Sequence, residues 1–342
     1  MVVAVGSGCL IWYGFYTPRV YFPQEIAGKT MGTDYVVKVV QFPETGDWKK
    51  IAAEIQSKLD TLDQMLSVYR QDSEVCRFNA FSFAEEWFPV SLETAHIVET
   101  SLAISWLTDG AFDITAFPIV RLWGLETGKE QDQGKSYEEL KSASLLLKEH
   151  TGYQKLSVRI DPPALKKAIP ELAIDPSALV QGFGMDCIAE LLDEQKISDY
   201  FIEIGDAVRC KGKNGKKRDW CIGIEKPTLE FSGIQQTLAL KNQSLAREVS
   251  YRQTIRIDDQ YVSHLIDPRI GFPSQIGKGI DEMVSVSVIE SNGTRASALA
   301  TALFVLGKQK GTECADQHGI AVLFLLKTGN EIHEIPSKRW LK

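Results

Sequence analysis

The chain has 342 residues, 44% of them hydrophobic and 24% charged, with a formal net charge of −7. That length and balance describe a folded protein with a sizeable core and argue against a disordered chain. The acidic balance argues against a general affinity for nucleic acid, which needs clustered positive charge.

Residues 1–24 form an apolar lead, in which MVVAVGSGCLIWYGFYTP carries no charge before Arg19. The pattern predicts a secretion signal or membrane anchor that lacks the usual basic start. Small residues before Cys9 suggest a lipid-attachment site, and an apolar strand is the alternative. The expected location is therefore exported, in the periplasm or anchored to the cell membrane. No other segment is apolar over a bilayer-spanning length.

After Pro23, residues 30–42 (TMGTDYVVKVVQF) alternate in their middle and are β-branched, which predicts a strand. Asp47 caps a helix whose Ile51, Ile55, Leu59, Leu62 and Leu66 share a face. Ser91 opens a second helix running to about Leu107. Ser136 and Glu139 make a capping box, with a short helix behind it. Residues 178–195 predict a helix with a glycine-rich start. From Tyr200 the pattern changes to short strands: YFIEIG, AVRCKG, WCIGIE, QTLAL, TIRID, YVSHLID and MVSVSVIE. A helix from Thr294 interrupts them, and a last hairpin turns at Gly329-Asn330. Helices first and antiparallel strands later indicate an α+β fold, in a single compact domain over residues 25–342.

The six cysteines stand at 9, 76, 187, 210, 221 and 314, without a Cys-x-x-Cys pair, so a thiolate zinc site is not expected. The basic stretch KGKNGKKR, residues 211–218, predicts a solvated hairpin tip at Asn214-Gly215, with a phosphate or partner contact as the alternative. Cys210 and Cys221 flank it, either as a disulfide or as neighbouring thiols.

Four places hold candidate chemistry. In residues 109–124 (DGAFDITAFPIVRLWG), Asp113 lies among apolar neighbours, either as a capping residue or as part of a cradle for a ring with a donor edge. In residues 174–186 (IDPSALVQGFGMD) a helix start follows a turn and offers backbone N–H groups to an anion, with Gly182 and Gly184 leaving room for a bulky ligand. In residues 261–273 (YVSHLIDPRIGFP), His264 and Asp267 stand three apart beside an Arg at a turn, a candidate pair for proton transfer. On the helix from Thr294, Ser297 and Thr301 place two hydroxyls on one face, where they can reach a hard cation or merely fit against a strand.

In this order, TMGTDYVV, LSVYRQDSEVCRFN, DGAFDITAFPIVRLWG, the strand-turn-helix at 174–186, WCIGIEKP, SHLIDPRIGFP and ALATALFVLG resemble the FAD:protein FMN transferase (ApbE-type) family, over about 300 residues. The resemblance implies a T-fold-like α+β domain, export or membrane tethering, FAD as the bound nucleotide and Mg²⁺ as the metal. It implies transfer of FMN from FAD to a Thr or Ser hydroxyl of a target flavoprotein, with release of AMP. Carried over, Met31 and Tyr69 contact flavin or adenine, and Ala111, Phe112 and Asp113 line the FAD pocket. Ser177 and Gly182 meet the nucleotide, while His264, Ile266 and Asp267 lie beside the pyrophosphate. The Val180 carbonyl and the Thr301 hydroxyl reach the metal. His264 is the expected base, oriented by Asp267. The pyrophosphate is expected between the helix start at Thr294 and the turn before Gly182.

Several positions depart from the family pattern. Ser297 stands where an Asp usually ligates the metal. Thr-Ser-Gly-Asp-Tyr appears as Arg247-Glu248-Val249-Ser250-Tyr251. Gln181-Gly182 replaces Lys-Gly, and Asp206 replaces the second Gly of a Gly-Gly turn. Asp206 or Glu203 is the expected source of the missing charge. The alternative to an active transferase is an impaired FAD-binding paralogue serving as flavin carrier or assembly partner, and a third option is a structural partner with an empty pocket.

Overall fold

The structure is a computed structural model and describes residues 23–40, 46–125, 134–227, 233–250, 254–276 and 281–340. The apolar lead up to residue 22, Cys9 and Tyr251 lie outside the described residues. Among those described, no helix is long and apolar enough to cross a membrane.

Strands β1 (Gln24–Thr30) and β2 (Thr33–Val39) form an antiparallel hairpin. The single strand expected over residues 30–42 is thus divided at Met31-Gly32. Both turn residues have positive φ, 48° and 75°, as a two-residue hairpin turn requires. Helix α1 (Trp48–Leu66) follows its Asp47 cap and buries all five predicted apolar residues. Next come α2 (Glu74–Ala80), β3 (Trp87–Pro89), and α3 (Leu92–Leu107) capped by Ser91. Then follow α4 (Phe117–Leu122) and α5 (Tyr137–Leu147), the latter with both bonds of the Ser136–Glu139 capping box. Strands β4 (Leu156–Ile160) and β5 (Pro163–Lys167) lead to α6 (Ser177–Glu194).

The second half begins with β6 (Tyr200–Ile204), β7 (Ala207–Lys211), β8 (Trp220–Glu225), β9 (Ile234–Leu240) and β10 (Gln243–Val249). It continues through β11 (Thr254–Ile257), β12 (Gln260–Asp267), β13 (Phe272–Ile276) and β14 (Asp281–Glu290). Helix α7 (Gly293–His318) precedes β15 (Ala321–Thr328) and β16 (Glu331–Pro336). The expected α+β pattern is present.

Eight strands form the main sheet in the order β1-β2-β6-β7-β10-β14-β15-β16. Helices α6 and α7 pack on each other, and α7 lies across β10 and β14. Val322, Phe324 and Leu326 of β15 enter this helix-side core, while Leu323 and Leu325 enter a second core with Trp220 and Leu238 of the β8-β9 pair. Burial of both faces explains why AVLFLL is apolar throughout. The same alternation governs β10: Ala246 belongs to the helix side and Leu245 to the opposite side. Glu248 therefore shares the face of Ala246, beneath α7, and Arg247 shares that of Leu245. Separately, α4 and α5 pack on a small sheet, β11-β12-β13, through Ile119, Trp123, Tyr137, Val262 and Ile266.

The basic stretch is not the tip of a paired hairpin. Strand β7 pairs with β6 and β10, whereas β8 pairs with β9. The turn folds on itself, with Asn214 N donating to Arg218 O at 2.8 Å. Cys210 is buried, Cys221 is exposed, and both are free thiols.

The route into α6 is fixed from below. Fully buried Lys167 donates to the carbonyls of Leu172, Pro170 and Asn79 at 2.9, 3.2 and 3.4 Å. Burial pulls its pKa down to about 8, so it remains an ammonium at neutral pH. Asn79 in turn holds both backbone groups of Ile174, at 2.8 and 2.9 Å. Lys167→Met leaves these carbonyls without their donor, and urea unfolding should show a loss of roughly 1–3 kcal/mol.

Candidate active site

A cavity of about 850 Å³ opens where the β1-β2 turn, the starts of α4 and α6, strands β10 and β12, and α7 converge. Its size and mixed lining suit a dinucleotide-class ligand. Of the residues singled out above, Met31, Tyr69, Ala111, Phe112, Asp113, Ser177, Val180, His264, Ile266, Ser297 and Thr301 all line it. Asp267 and Gly182 do not.

Each wall has a local cause. Met31 sits in the left-handed region because the hairpin turn requires it there, and this aims its side chain into the cavity. Tyr69 is 61% exposed and offers a ring face at the rim. Ala111 and Phe112 are buried beneath the opposite wall. Asp113 takes the capping role: its carboxylate accepts from Thr115 N and Oγ1 at 2.8 and 2.7 Å and from Tyr153 N at 2.9 Å. Burial pushes its pKa up. Asp175, which the sequence reading passed over, also lines the cavity and accepts from Ser177 N at 2.9 Å and from Ser177 Oγ. Burial raises its pKa too.

Gly182 serves packing. A Cβ there would overlap the Gly293 carbonyl and Ser297 Oγ, so its absence lets α6 and α7 touch. The amino end of α7 is likewise closed to a pyrophosphate. Gly293 N and Thr294 N each donate to Asp186 at 2.9 Å, and Thr294 Oγ1 does so at 2.7 Å. The cavity meets α7 one turn later, at Ser297 and Thr301.

Asp267 does not orient His264. Its two oxygens accept from Arg269 Nε and Nη2 at 2.8 and 2.7 Å, a bidentate pair formed across the turn at Pro268. The partner of His264 is Glu248, with Nε2 and Oε1 3.2 Å apart. Nδ1 of His264 is buried and has no hydrogen-bond partner among the described residues. Glu248 also accepts, through Oε2, from Thr301 Oγ1 at 2.8 Å. The sequence reading missed Glu248 as a site residue. The available signal was a carboxylate gained at 248 beside one lost at 297.

Neither expected substitute for that lost charge takes its place. Asp206 is held by Arg247 Nη2 at 2.5 Å, and the same guanidinium reaches Glu225 at 3.2 Å. Glu203 alternates with Ile202 and Ile204, which point into the helix-side core, so it faces the other side of the sheet.

Among the described residues, no three His, Cys, Asp or Glu side chains gather as a metal cluster. Glu248, Thr301 and Ser297 offer a carboxylate and two hydroxyls. These hard oxygen donors suit Mg²⁺, which often takes one or two carboxylates and completes its shell with substrate phosphates and water.

A family model described as the ApbE family matches residues 31–324. The FAD:protein FMN transferase of Vibrio cholerae is 35% identical over 312 residues, covering 91% of this chain and 90% of that protein. Its counterpart in Escherichia coli K12 is 34% identical, covering 92% and 86%. Among solved structures, the flavin transferase ApbE of Vibrio cholerae superimposes with a TM-score of 0.81 at 34% identity, covering 93% of this chain and 98% of that one. The apo flavinyl transferase ApbE of Pseudomonas stutzeri gives 0.81 at 30% identity, covering 93% and 96%. With the family model running from the Met31 turn to Phe324 of β15, and so across every wall of the cavity, this chain belongs to the ApbE family.

Proposed function

We propose that the protein is an FAD:protein FMN transferase that uses Mg²⁺ and moves FMN onto a Thr or Ser hydroxyl of a target flavoprotein. The observation that carries this reading is the meeting of His264, Glu248 and Thr301 in the wall of a dinucleotide-sized cavity. Tyr69 and Met31 provide surfaces for rings, and the polar wall around α7 and β12 is left for the pyrophosphate. The acceptor oxygen forms a bond to the FMN-side phosphorus, the bridging P–O bond breaks, and AMP leaves with the bond's electrons. His264, in the cavity wall beside Glu248, takes the acceptor's proton. Glu248 thereby has the orienting role expected of Asp267. When bound, Mg²⁺ supplies positive charge against the pyrophosphate oxygens. The hydroxyls of Ser297 and Thr301 and the Val180 segment are the side on which the chain would hold it.

Incubation with FAD, Mg²⁺ and a candidate flavoprotein should give a fluorescent protein band that survives denaturation, with one AMP per flavin attached. Chelation of the metal by EDTA should abolish both products, and an excess of Mg²⁺ should restore them. FAD bound without transfer under these conditions would favour the carrier alternative. The apolar lead supports an exported or membrane-anchored site of action, which cell fractionation tests.

A further inference from the structure

We infer that the metal-binding carboxylate of this chain has moved from α7 to β10: Glu248 ligates the divalent cation in place of the Asp that the family pattern carries at position 297. The inference rests on the proposed Mg²⁺-dependent reading and deepens it.

Strand parity is the first support. Ala246 enters the helix-side core, so Glu248, two residues on, lies on the same face beneath α7. The second is contact. Glu248 Oε2 lies 2.8 Å from Thr301 Oγ1, the hydroxyl expected at the metal, and Ser297 lines the same cavity one turn earlier. Among the described residues, no other cavity carboxylate is bonded to an α7 hydroxyl. Asp113 is bonded to Thr115 and Tyr153, Asp175 to Ser177 and Asp206 to Arg247, while Asp63 lines the cavity from α1 without a bond to α7.

Charge is the third support. The Glu248 side chain is only 18% exposed, yet no Lys or Arg among the described residues pairs with it. Its partners are His264, Thr301 and the Val249 amide. None of these three partners is a permanent cation, so Oε2 has no built-in positive partner among them. A divalent ion beside Oε2 and the pyrophosphate supplies positive charge to both at once.

The two departures from the family pattern are then a single exchange. Where the pattern has Ser on the strand and Asp on the helix, this chain has Glu248 on the strand and Ser297 on the helix. Asp206 and Arg247, both also departures, pair with each other in the lining of the same cavity.

Mn²⁺ titrated into the FAD-bound protein and followed by electron paramagnetic resonance tests this directly. The proteins compared are wild type, Glu248→Gln, Asp206→Asn, and Glu248→Gln combined with Ser297→Asp. Glu248→Gln should weaken Mn²⁺ binding at least ~10-fold, and adding Ser297→Asp should recover most of that loss. Thermal melting establishes that each variant is folded, and flavin fluorescence measures FAD binding in EDTA. Unchanged affinity in Glu248→Gln overturns the assignment, as does a loss found in Asp206→Asn alone. A loss in Glu248→Gln that Ser297→Asp does not restore overturns the exchange and leaves Glu248 a structural role. Wild-type protein that binds FAD but no Mn²⁺ overturns the Mg²⁺-dependent reading as well, which distinguishes the two failures.

Discussion

Replacing His264 by alanine is expected to slow FMN transfer by about 10²–10⁴-fold while FAD still binds. His264 stands on β12 between two constraints. Nε2 meets Glu248 Oε1 at 3.2 Å, and the carboxylate favours the tautomer whose proton sits on Nε2. Nδ1, which then keeps its lone pair, is buried without a partner among the described residues. The ring lines the cavity, within reach of its contents, but contributes little area to holding a molecule the size of FAD. Single-turnover release of AMP at saturating FAD measures the first quantity, and flavin fluorescence titration the second. Equal losses in both would assign His264 to packing and leave the reaction without its base.

The parts of the fold that were legible in the sequence are those with local causes. Asp47, Ser91 and Ser136 each bond an amide within three residues, so α1, α3 and α5 announce their own starts. The last hairpin turns where Gly329 supplies a positive φ. Strand β10 was passed over because Gln243–Val249 places small and charged residues on a face covered by α7, and no alternation of apolar with polar survives there. With the strand went Glu248, whose meaning depends on which face it takes and on a helix 53 residues away. The proton-transfer pair failed for a related reason. Asp267 looked like the partner of His264 because it is near in sequence, but β12 is irregular between Val262 and Ile266, so nearness along the chain does not decide which side chains meet. Arg269, two residues on across a proline turn, was the closer claimant. The placement of a pyrophosphate at Thr294 failed because a cap from another helix leaves no trace near the helix it caps.

That cap should have the largest effect on stability of any single side chain in the site. Asp186 is 8% exposed and accepts from Gly293 N, Thr294 N, Thr294 Oγ1 and Arg209 Nη1, the last at 2.9 Å. Asp186→Ala leaves two helix amides without their acceptor, and Arg209 Nη1 keeps only Ser291 O at 2.8 Å and Ser244 Oγ at 3.3 Å, at a junction too tight to admit a side chain at Gly182. Losing one member of such a pair costs roughly 3–5 kcal/mol, and loss of the cap acts in the same direction. Asp186→Asn keeps the shape and one acceptor oxygen, so it should lose less. Guanidinium chloride unfolding measures both, and a loss below about 1 kcal/mol in Asp186→Ala would mean that the Asn292 cap holds the helix start unaided. The consequence reaches the chemistry, because Asp186 fixes where α7 begins relative to α6. Ser297 and Thr301 lie on the next turns of α7, and Glu248 lies beneath them on β10. A variant that stays folded with a displaced α7 start should therefore bind Mn²⁺ more weakly with every ligand still present, since the hydroxyls would no longer stand over the carboxylate.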